Sequence, residues 1–407
     1  MTQKSTEFLD GFARQETTPR RVLILTTAYL PEVGGSELAI KNITDRLPEI
    51  YFDLITSRPP AGGSKNIPEY EKMGNVNVYR MGNFISRFYF LLPKNFLPIA
   101  IFSKAYQLMH KYGSYNIIHA YQASQAAGGG WLLKWKYPNI SFLVTVQEGK
   151  ILNRQLWLVR FFRYLIFKKA DAVTVISNYL AKYVKSQNAK IPIEVIPNGV
   201  DLERFKVKNG LLRRSSLGYE GREKLKIADK NIIITVSRLV EKNGIGDLIE
   251  AMAIVISEIP DAKLMIIGKG PLEKSLRLKV KILKLEDGIK FLGEISNDSI
   301  FEYLAEASVF VRPSLSEGLG TAFIEAMAAG LPIIGTLVGG IPDFLKDGET
   351  GLFCKVADPK DLAEKITRLL KDEQLREKII NNAKTLVVQK YDWNIIANEF
   401  AKVYERI

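Results

Sequence analysis

Short runs rich in β-branched and aliphatic residues alternate with helix-length stretches, and this alternation occurs twice along the chain. In the first half the runs are 22–27, 52–56, 76–80, 117–120, 142–146 and 172–176; in the second they are 232–236, 263–267, 289–292, 309–312 and 332–335. Between them lie segments of helical period such as 247–258 and 361–370. Parallel strands need a long crossover, usually a helix, so this alternation predicts parallel sheets with helices on both faces. Two such series predict an α/β molecule with two Rossmann-like halves. A length of 407 residues agrees, because single cores of that size are uncommon.

The layout expected is a disordered polar tail over 1–20, a first domain over 21–196, a second over 197–390 and a C-terminal helix over 391–407. The join falls at Ile196-Pro-Asn-Gly-Val200, a run of turn formers, and 206–230 reads as a charged surface excursion. The final helix could pack on either domain, back on the first included, and the sequence does not decide between them. The first apolar run, 22–25, is too short for a secretory signal. The most apolar stretch, 88–102, is broken by Pro93, Lys94, Asn95 and Pro98, so no bilayer span is expected. One cysteine, Cys354, excludes an intramolecular disulfide.

Charge is distributed unevenly. From Lys72 to Ala170 there are fourteen Lys and Arg and a single acid, Glu148, an excess equal to the formal net charge of the whole chain, +13. Aromatic and aliphatic residues are interleaved, as in Phe88-Tyr-Phe-Leu-Leu92 and around Trp157, Phe161, Phe162, Tyr164 and Phe167. A confined basic field implies an anionic partner, and this mixture favours an anionic membrane surface or lipid-linked phosphate over nucleic acid. The bland alternative is aromatic core beneath a solvated basic face.

Ligands of open parallel sheets bind beyond the carboxyl ends of strands. There the chain reads Arg312-Pro-Ser-Leu-Ser-Glu317-Gly-Leu-Gly-Thr-Ala-Phe-Ile-Glu325-Ala-Met-Ala-Ala-Gly-Leu-Pro332. A strand is expected to end at Arg312, a loop to carry Glu317, and Gly318 and Gly320 to open a helix that carries Glu325. Glycines let a ligand approach the backbone, and free N–H groups at a helix start suit phosphate oxygens. Both carboxylates are placed to accept hydrogen bonds from sugar hydroxyls. A helix cap at Glu317 and a solvated Glu325 are the alternatives.

This segment resembles the Glu-x7-Glu donor site of retaining glycosyltransferases of family 4, which have the two-domain GT-B fold. Further agreement in order and spacing comes from Tyr29-Leu-Pro-Glu-Val-Gly-Gly-Ser-Glu37, Ile196-Pro-Asn-Gly-Val-Asp-Leu-Glu-Arg-Phe205, Ser237-Arg-Leu239, Ile266-Ile-Gly-Lys-Gly270, Phe291-Leu-Gly293 and Val338-Gly-Gly-Ile-Pro-Asp343. The resemblance implies a nucleotide diphosphate-sugar donor, with Glu317 facing the transferred sugar and Glu325 the ribose. It implies backbone N–H groups of Leu319, Gly320 and Thr321 at the diphosphate, Gly268 on the donor side, and Gly34 and Gly35 close to donor or acceptor. Arg238 would neutralise the leaving diphosphate, as a fixed guanidinium must where charge develops. A glycan or lipid acceptor, cell-envelope glycan synthesis and a cytoplasmic, peripheral-membrane location complete the expectation.

The sequence departs from that pattern twice. The family lysine five residues after the arginine is Asn243 here, and Lys242 lies one step early. At the usual histidine after the fifth strand stands Gln147, which could hydrogen-bond the donor sugar or acceptor, with Glu148 beside it to assist the reaction. Of two histidines, His110 reads as surface or packing and His119 as a satisfied buried residue, so no histidine base is expected. In a retaining front-face reaction the departing phosphate can take the acceptor proton. No Asp-x-Asp, His/Cys cluster, dinucleotide fingerprint or Walker lysine is present, so neither metal nor cofactor is expected. A catalytically weak sugar-nucleotide-binding module is the alternative reading.

Overall fold

The computed structural model describes residues 20–31, 34–57, 67–81, 97–148, 156–187, 190–209 and 231–407, with backbone only at 206–209. The expected tail up to residue 19 and most of the charged excursion, together with Arg87, the 88–92 aromatic run, Lys94, Lys150 and Arg154, lie outside the described residues.

In the first half the strands are β1 (Arg21–Leu25), β2 (Tyr51–Ser57), β3 (Tyr70–Met73), β4 (Val76–Met81), β5 (Ile117–Tyr121), β6 (Ser141–Val146), β7 (Ala172–Val175) and β8 (Ile193–Val195). Its helices are α1 (Gly35–Asp45), α2 (Leu97–Tyr112), α3 (Gln125–Lys136), α4 (Trp157–Lys169), α5 (Asn178–Ser186) and α6 (Leu202–Asn209). The second half holds β9 (Ile232–Val236), β10 (Lys263–Ile267), β11 (Ile289–Gly293), β12 (Val309–Arg312), β13 (Ile333–Thr336) and β14 (Leu352–Cys354). Its helices are α7 (Ile245–Glu258), α8 (Glu273–Ile282), α9 (Ile300–Glu306), α10 (Thr321–Ala328), α11 (Pro359–Lys371), α12 (Glu373–Lys390) and α13 (Trp393–Arg406).

The first sheet has the order β3-β4-β2-β1-β5-β6-β7-β8 and the second β11-β10-β9-β12-β13-β14. All neighbours are parallel except β3 against β4. Central strands such as β5 and β12 are buried along their whole length, as apolar runs with helices on both faces require. Three strands escape the apolar-run reading: β3, β8 and β14. All are short and stand at sheet edges: charged residues interrupt β3 and β8, and β14 is apolar but only 3 residues long.

Helix ends follow local chemistry. The Asp358 side chain accepts from the Asp361 N–H with Pro359 opening α11, and Leu362, Ala363, Ile366 and Leu369 form its buried stripe. In α13, Asp392 caps Asn394 N–H, and Trp393, Ile396, Ala397, Phe400, Val403 and Tyr404 are buried. Those side chains pack with Val22, Ile24, Ile40 and Phe52, so the C-terminal helix belongs to the core of the first sheet. The chain therefore crosses between halves twice. The two crossings are bound together by Val200 N–H to Tyr391 O at 2.7 Å and Trp393 N–H to Val200 O at 3.3 Å. Gly199 is required there, because a Cβ would sit 2.9 Å from the Tyr391 carbonyl oxygen.

In each sheet the strand order reverses beside the first strand: β1 lies between β2 and β5, and β9 lies between β10 and β12. Loops leaving those strands splay apart at such a switch point and leave a crevice.

Candidate active site

Two loops flank the crevice of the second sheet, one after β9 and one after β12. The first carries Arg238, exposed beyond the strand end, then a 3-10 turn over Glu241–Asn243. Gly244 ends that turn at φ +67°, and a Cβ on it would lie 2.0 Å from Pro313 O, so the two loops are in backbone contact. Leu315 N–H donates to Lys242 O at 2.7 Å across the same junction. Asn243 is buried, and its Nδ2 donates to Arg238 O at 2.7 Å. The residue at the family lysine position is thus a brace for the arginine turn, and its amide faces the backbone. Lys242 stands half-buried beside it. Burial pushes its ammonium below the usual range, Glu317 pulls it back up, and Arg312 and Arg238 push it down again. One carboxylate and three cations therefore share the crevice.

Glu317 is held from several directions. Its Oε2 is ion-paired with Arg312 Nη2, and its Oε1 accepts from the Gly318 N–H at 3.0 Å. Arg312, at the end of β12, is buried, with Nη1 3.4 Å from Val236 O and its guanidinium 4.8 Å from the Phe323 ring centre. Beneath the loop, Gly339 has φ +55°, and a Cβ there would lie 1.7 Å from Glu317 O. Gly320 opens α10 at φ +98°, where a Cβ would meet Phe323 at 2.8 Å and the Arg312 Nη2 at 3.3 Å. Leu319, Gly320 and Thr321 form the helix entry, whose first N–H groups have no carbonyl one turn earlier to bind. Glu325 lies in the second turn of α10, and burial raises its carboxyl to about 7, with Arg312 and Arg204 opposing.

Gly268 has a packing reason. At φ +128° a Cβ there would sit 1.9 Å from Ser237 O, so the turn after β10 supports the Arg238 turn from below.

On the first sheet Gly34 caps α1, and a Cβ there would collide with Glu37 Oε2 at 2.4 Å. Around Gly35 there is more room: the nearest group is Asn198 Nδ2 at 3.8 Å. The buried Asn198 accepts through Oδ1 from Gln147 Nε2 at 3.3 Å, while Gln147 Oε1 is buried without a partner among the described residues. Glu148, placed by sequence among the reacting groups, is ion-paired at 2.7 Å with Arg163 of α4, both side chains being largely buried. His119 is likewise closed off: Nδ1 lies 2.8 Å from Tyr404 Oη and Nε2 2.6 Å from Thr145 Oγ1, and burial pushes its imidazole down to about 3. It is neutral at pH 7 and fastens α13 to the first sheet. The two halves also touch through Asp343, whose Oδ2 accepts from the Asn178 N–H at 2.7 Å at the start of α5.

The basic region needs a correction. Arg80 is buried, with Glu71 at 2.8 Å and Leu30 O at 2.9 Å; Lys134 is buried against Asp171 at 2.7 Å; Arg163 is buried with Glu148. These three cations satisfy internal carbonyls and carboxylates. The stretch therefore presents less positive surface than its composition implies.

Sequence reasoning named Glu317, Glu325, Arg238 and Lys242, and the fold brings Glu317, Arg238 and Lys242 to one crevice. It missed Arg312, read only as a strand end, and Asn198, read only as a turn residue. A cation immediately before Pro-Ser, in an otherwise apolar strand, was the available signal for the former.

Residues 33–204 match the family model described as Glycosyltransferase Family 4, and residues 220–386 match that described as Glycosyl transferases group 1. The chain is 30% identical over 392 residues to the N-acetyl-alpha-D-glucosaminyl L-malate synthase of Bacillus anthracis, covering 93% of this chain and 95% of that protein. It is 31% identical over 246 residues to a GDP-mannose-dependent monoacylated alpha-(1-6)-phosphatidylinositol monomannoside mannosyltransferase of Corynebacterium glutamicum, covering 58% of this chain and 62% of that one. In fold it is similar to Anabaena HepE, solved with UDP and glucose, with a TM-score of 0.77 at 19% identity over 95% of this chain and all of the other. The chain belongs to glycosyltransferase family 4, and its paired Rossmann-like sheets are the GT-B fold.

Proposed function

We propose that this glycosyltransferase retains anomeric configuration while moving a hexose or N-acetylhexosamine from a nucleotide diphosphate to a glycan or lipid acceptor at an anionic membrane surface. The observation that carries the donor half is the convergence of Arg312 and Lys242 on Glu317 at the switch point of the second sheet, with Arg238 beside Lys242. Breaking the bond between the anomeric carbon and the phosphate oxygen leaves negative charge on the diphosphate. Fixed cations and helix-start N–H groups stabilise that charge where it appears. Lys242, Arg238 and the α10 entry supply these groups in our reading. Glu317 holds the sugar hydroxyls and faces the positive charge that develops on the ring, and Arg312 fixes its orientation. The acceptor hydroxyl attacks from the leaving-group side, and its proton passes to the departing phosphate oxygen. This route needs neither a histidine base nor a metal.

Glu325 is assigned to the ribose hydroxyls. On the acceptor side, Gln147 Oε1 is a buried acceptor with capacity to spare, and Asn198 and Gly35 lie beside it. The Corynebacterium relative acts on a lipid and HepE was solved with UDP, and both support the substrate classes without choosing among them. A screen of melting temperature against UDP, GDP and ADP, followed by product analysis with the matching sugar nucleotide, tests the reading. A shift by one nucleotide with an α-linked product from an α-linked donor is expected; inversion at the anomeric carbon refutes the retaining route. Binding without transfer would favour a sugar-nucleotide-binding module instead.

A further inference from the structure

Helix α4 departs from the ordinary surface helix. Residues 156–162 are all exposed, and six of the seven are apolar: Leu156, Trp157, Leu158, Val159, Phe161 and Phe162. Seven consecutive residues turn through nearly two full circles, so this is no stripe facing a core. The first two turns project from the protein with apolar side chains on every side, Trp157 being 76% and Phe162 56% exposed. Below them the helix is rooted by buried Arg163, Ile166 and Phe167. Around that root stand Tyr164 and Lys168, exposed, and Lys169, half-exposed, with Arg160 above, and α4 carries no acid. An apolar tip above an amphipathic ring and a belt of cations matches the depth profile of an anionic bilayer interface.

We infer that α4 is a wedge that inserts its first two turns into the acyl region of an anionic membrane, the long Arg160 side chain reaching back to the headgroups where Lys168 and Lys169 lie. The inference deepens the acceptor side of the reading above and is independent of the donor site. It reverses the balance of forces that composition suggests. Arg80, Lys134 and Arg163 are consumed inside the protein, so apolar insertion carries the attachment and charge adds to it. The wedge is also tied to the cleft: Arg163 at its root pairs with Glu148, the neighbour of Gln147, which bonds Asn198. A membrane-seated α4 therefore sets the distance between the bilayer and the acceptor pocket.

The test uses the full chain. Phe161→Cys labelled with a polarity-sensitive fluorophore gives a site-specific reporter, because the one native thiol, Cys354, is buried. Vesicles of zwitterionic lipid alone and with anionic lipid are compared at low and high salt. The expected result is a blue shift with anionic vesicles that survives high salt. Trp157→Ser with Phe162→Ser is expected to cut vesicle co-sedimentation at least about tenfold and leave the melting temperature and its nucleotide shift unchanged. Three outcomes overturn the wedge. One is a reporter already in an apolar environment without lipid, which means coverage by the chain itself. Another is a concentration-dependent dimer that the double variant abolishes, which makes the face a contact between copies. The last is attachment that high salt removes and the double variant keeps. Failure of the donor reading looks different: the wild type shows no nucleotide shift and still binds vesicles.

Discussion

The crevices of the two sheets sit at the same topological point and are built in opposite ways. In the second sheet the loops cross so closely that a Cβ at Gly244, Gly268 or Gly339 would stand 2.0, 1.9 or 1.7 Å from a carbonyl oxygen. In the first, Gly35 has its nearest group at 3.8 Å, and Gln147 keeps an unpaired buried oxygen among the described residues. A rigid crevice with charges already in place suits the half of the reaction in which charge develops, since groups that need not reorganise stabilise it best. An open crevice with adaptable amides suits an acceptor whose identity varies between enzymes. Under the proposed function, that difference would put chemistry in one half and acceptor selection in the other.

The most severe break in that comparison is Glu317→Gln. Turnover is expected to fall by about 10²–10³-fold; near-normal rates would remove the chemistry from the second sheet. Arg312→Met leaves a buried carboxylate without its guanidinium and is expected to cost about 3–5 kcal/mol of stability in urea titration. The double variant with Glu317→Gln should lose clearly less than the sum of the single changes, because the two side chains form one buried unit; simple additivity would contradict the pairing.

Glycine substitutions sharpen the contrast in rigidity. Gly339→Ala forces a Cβ onto a carbonyl at positive φ and is expected to lower stability by about 1–3 kcal/mol. Gly35→Ala should change stability by less than about 0.5 kcal/mol. If Gly35→Ala nevertheless raises the KM for acceptor, the open space around it is used for binding.

A pH effect follows from Glu325. Its carboxyl is raised from 4.5 to about 7, so the folded enzyme binds more protons than the unfolded chain across that window. Its contribution to stability is therefore present below pH 4.5 and declines as pH rises through 7. Glu325→Gln should flatten this part of the profile and match or exceed the wild-type melting temperature at pH 8. Ribose hydroxyls donate to the ionised form, so nucleotide affinity is expected to rise from pH 6 to 8 in the wild type and stay level in the variant. A pH-independent affinity in the wild type would detach Glu325 from the ribose. The smallest effect concerns charge on the first half. Neutralising Lys168 and Lys169 should shift stability by less than about 0.5 kcal/mol, whereas Arg163→Met breaks a buried pair and costs several times more.

Much of this was legible in the chain. Apolar runs at crossover spacing gave both sheets, because a buried parallel strand must be apolar along its length. The loop from Arg312 to Pro332 marked its own chemistry, since glycines beside carboxylates at a strand end have few other uses. The edge strands β3, β8 and β14 were not legible, because charged residues interrupt β3 and β8 and β14 is only 3 residues long. Asn243 reads as a lost lysine in sequence and as a brace in the fold, since only the path of the turn shows that its amide meets the Arg238 carbonyl.

By itself the sequence determined the fold class, the family and the position of Glu317, all of which follow from local periodicity and a contiguous motif. Only the tertiary structure decided which charges are available. Arg80, Lys134 and Arg163 look like Lys104 or Lys168 in a list of residues, and they differ by having carboxylates and carbonyls brought to them from elsewhere in the fold. The same holds in reverse for Trp157, Phe161 and Phe162, whose aromatic rings suit a core or a membrane-facing surface by sequence and stand in solvent. Burial is a property of what packs against a side chain, and no residue carries that information alone.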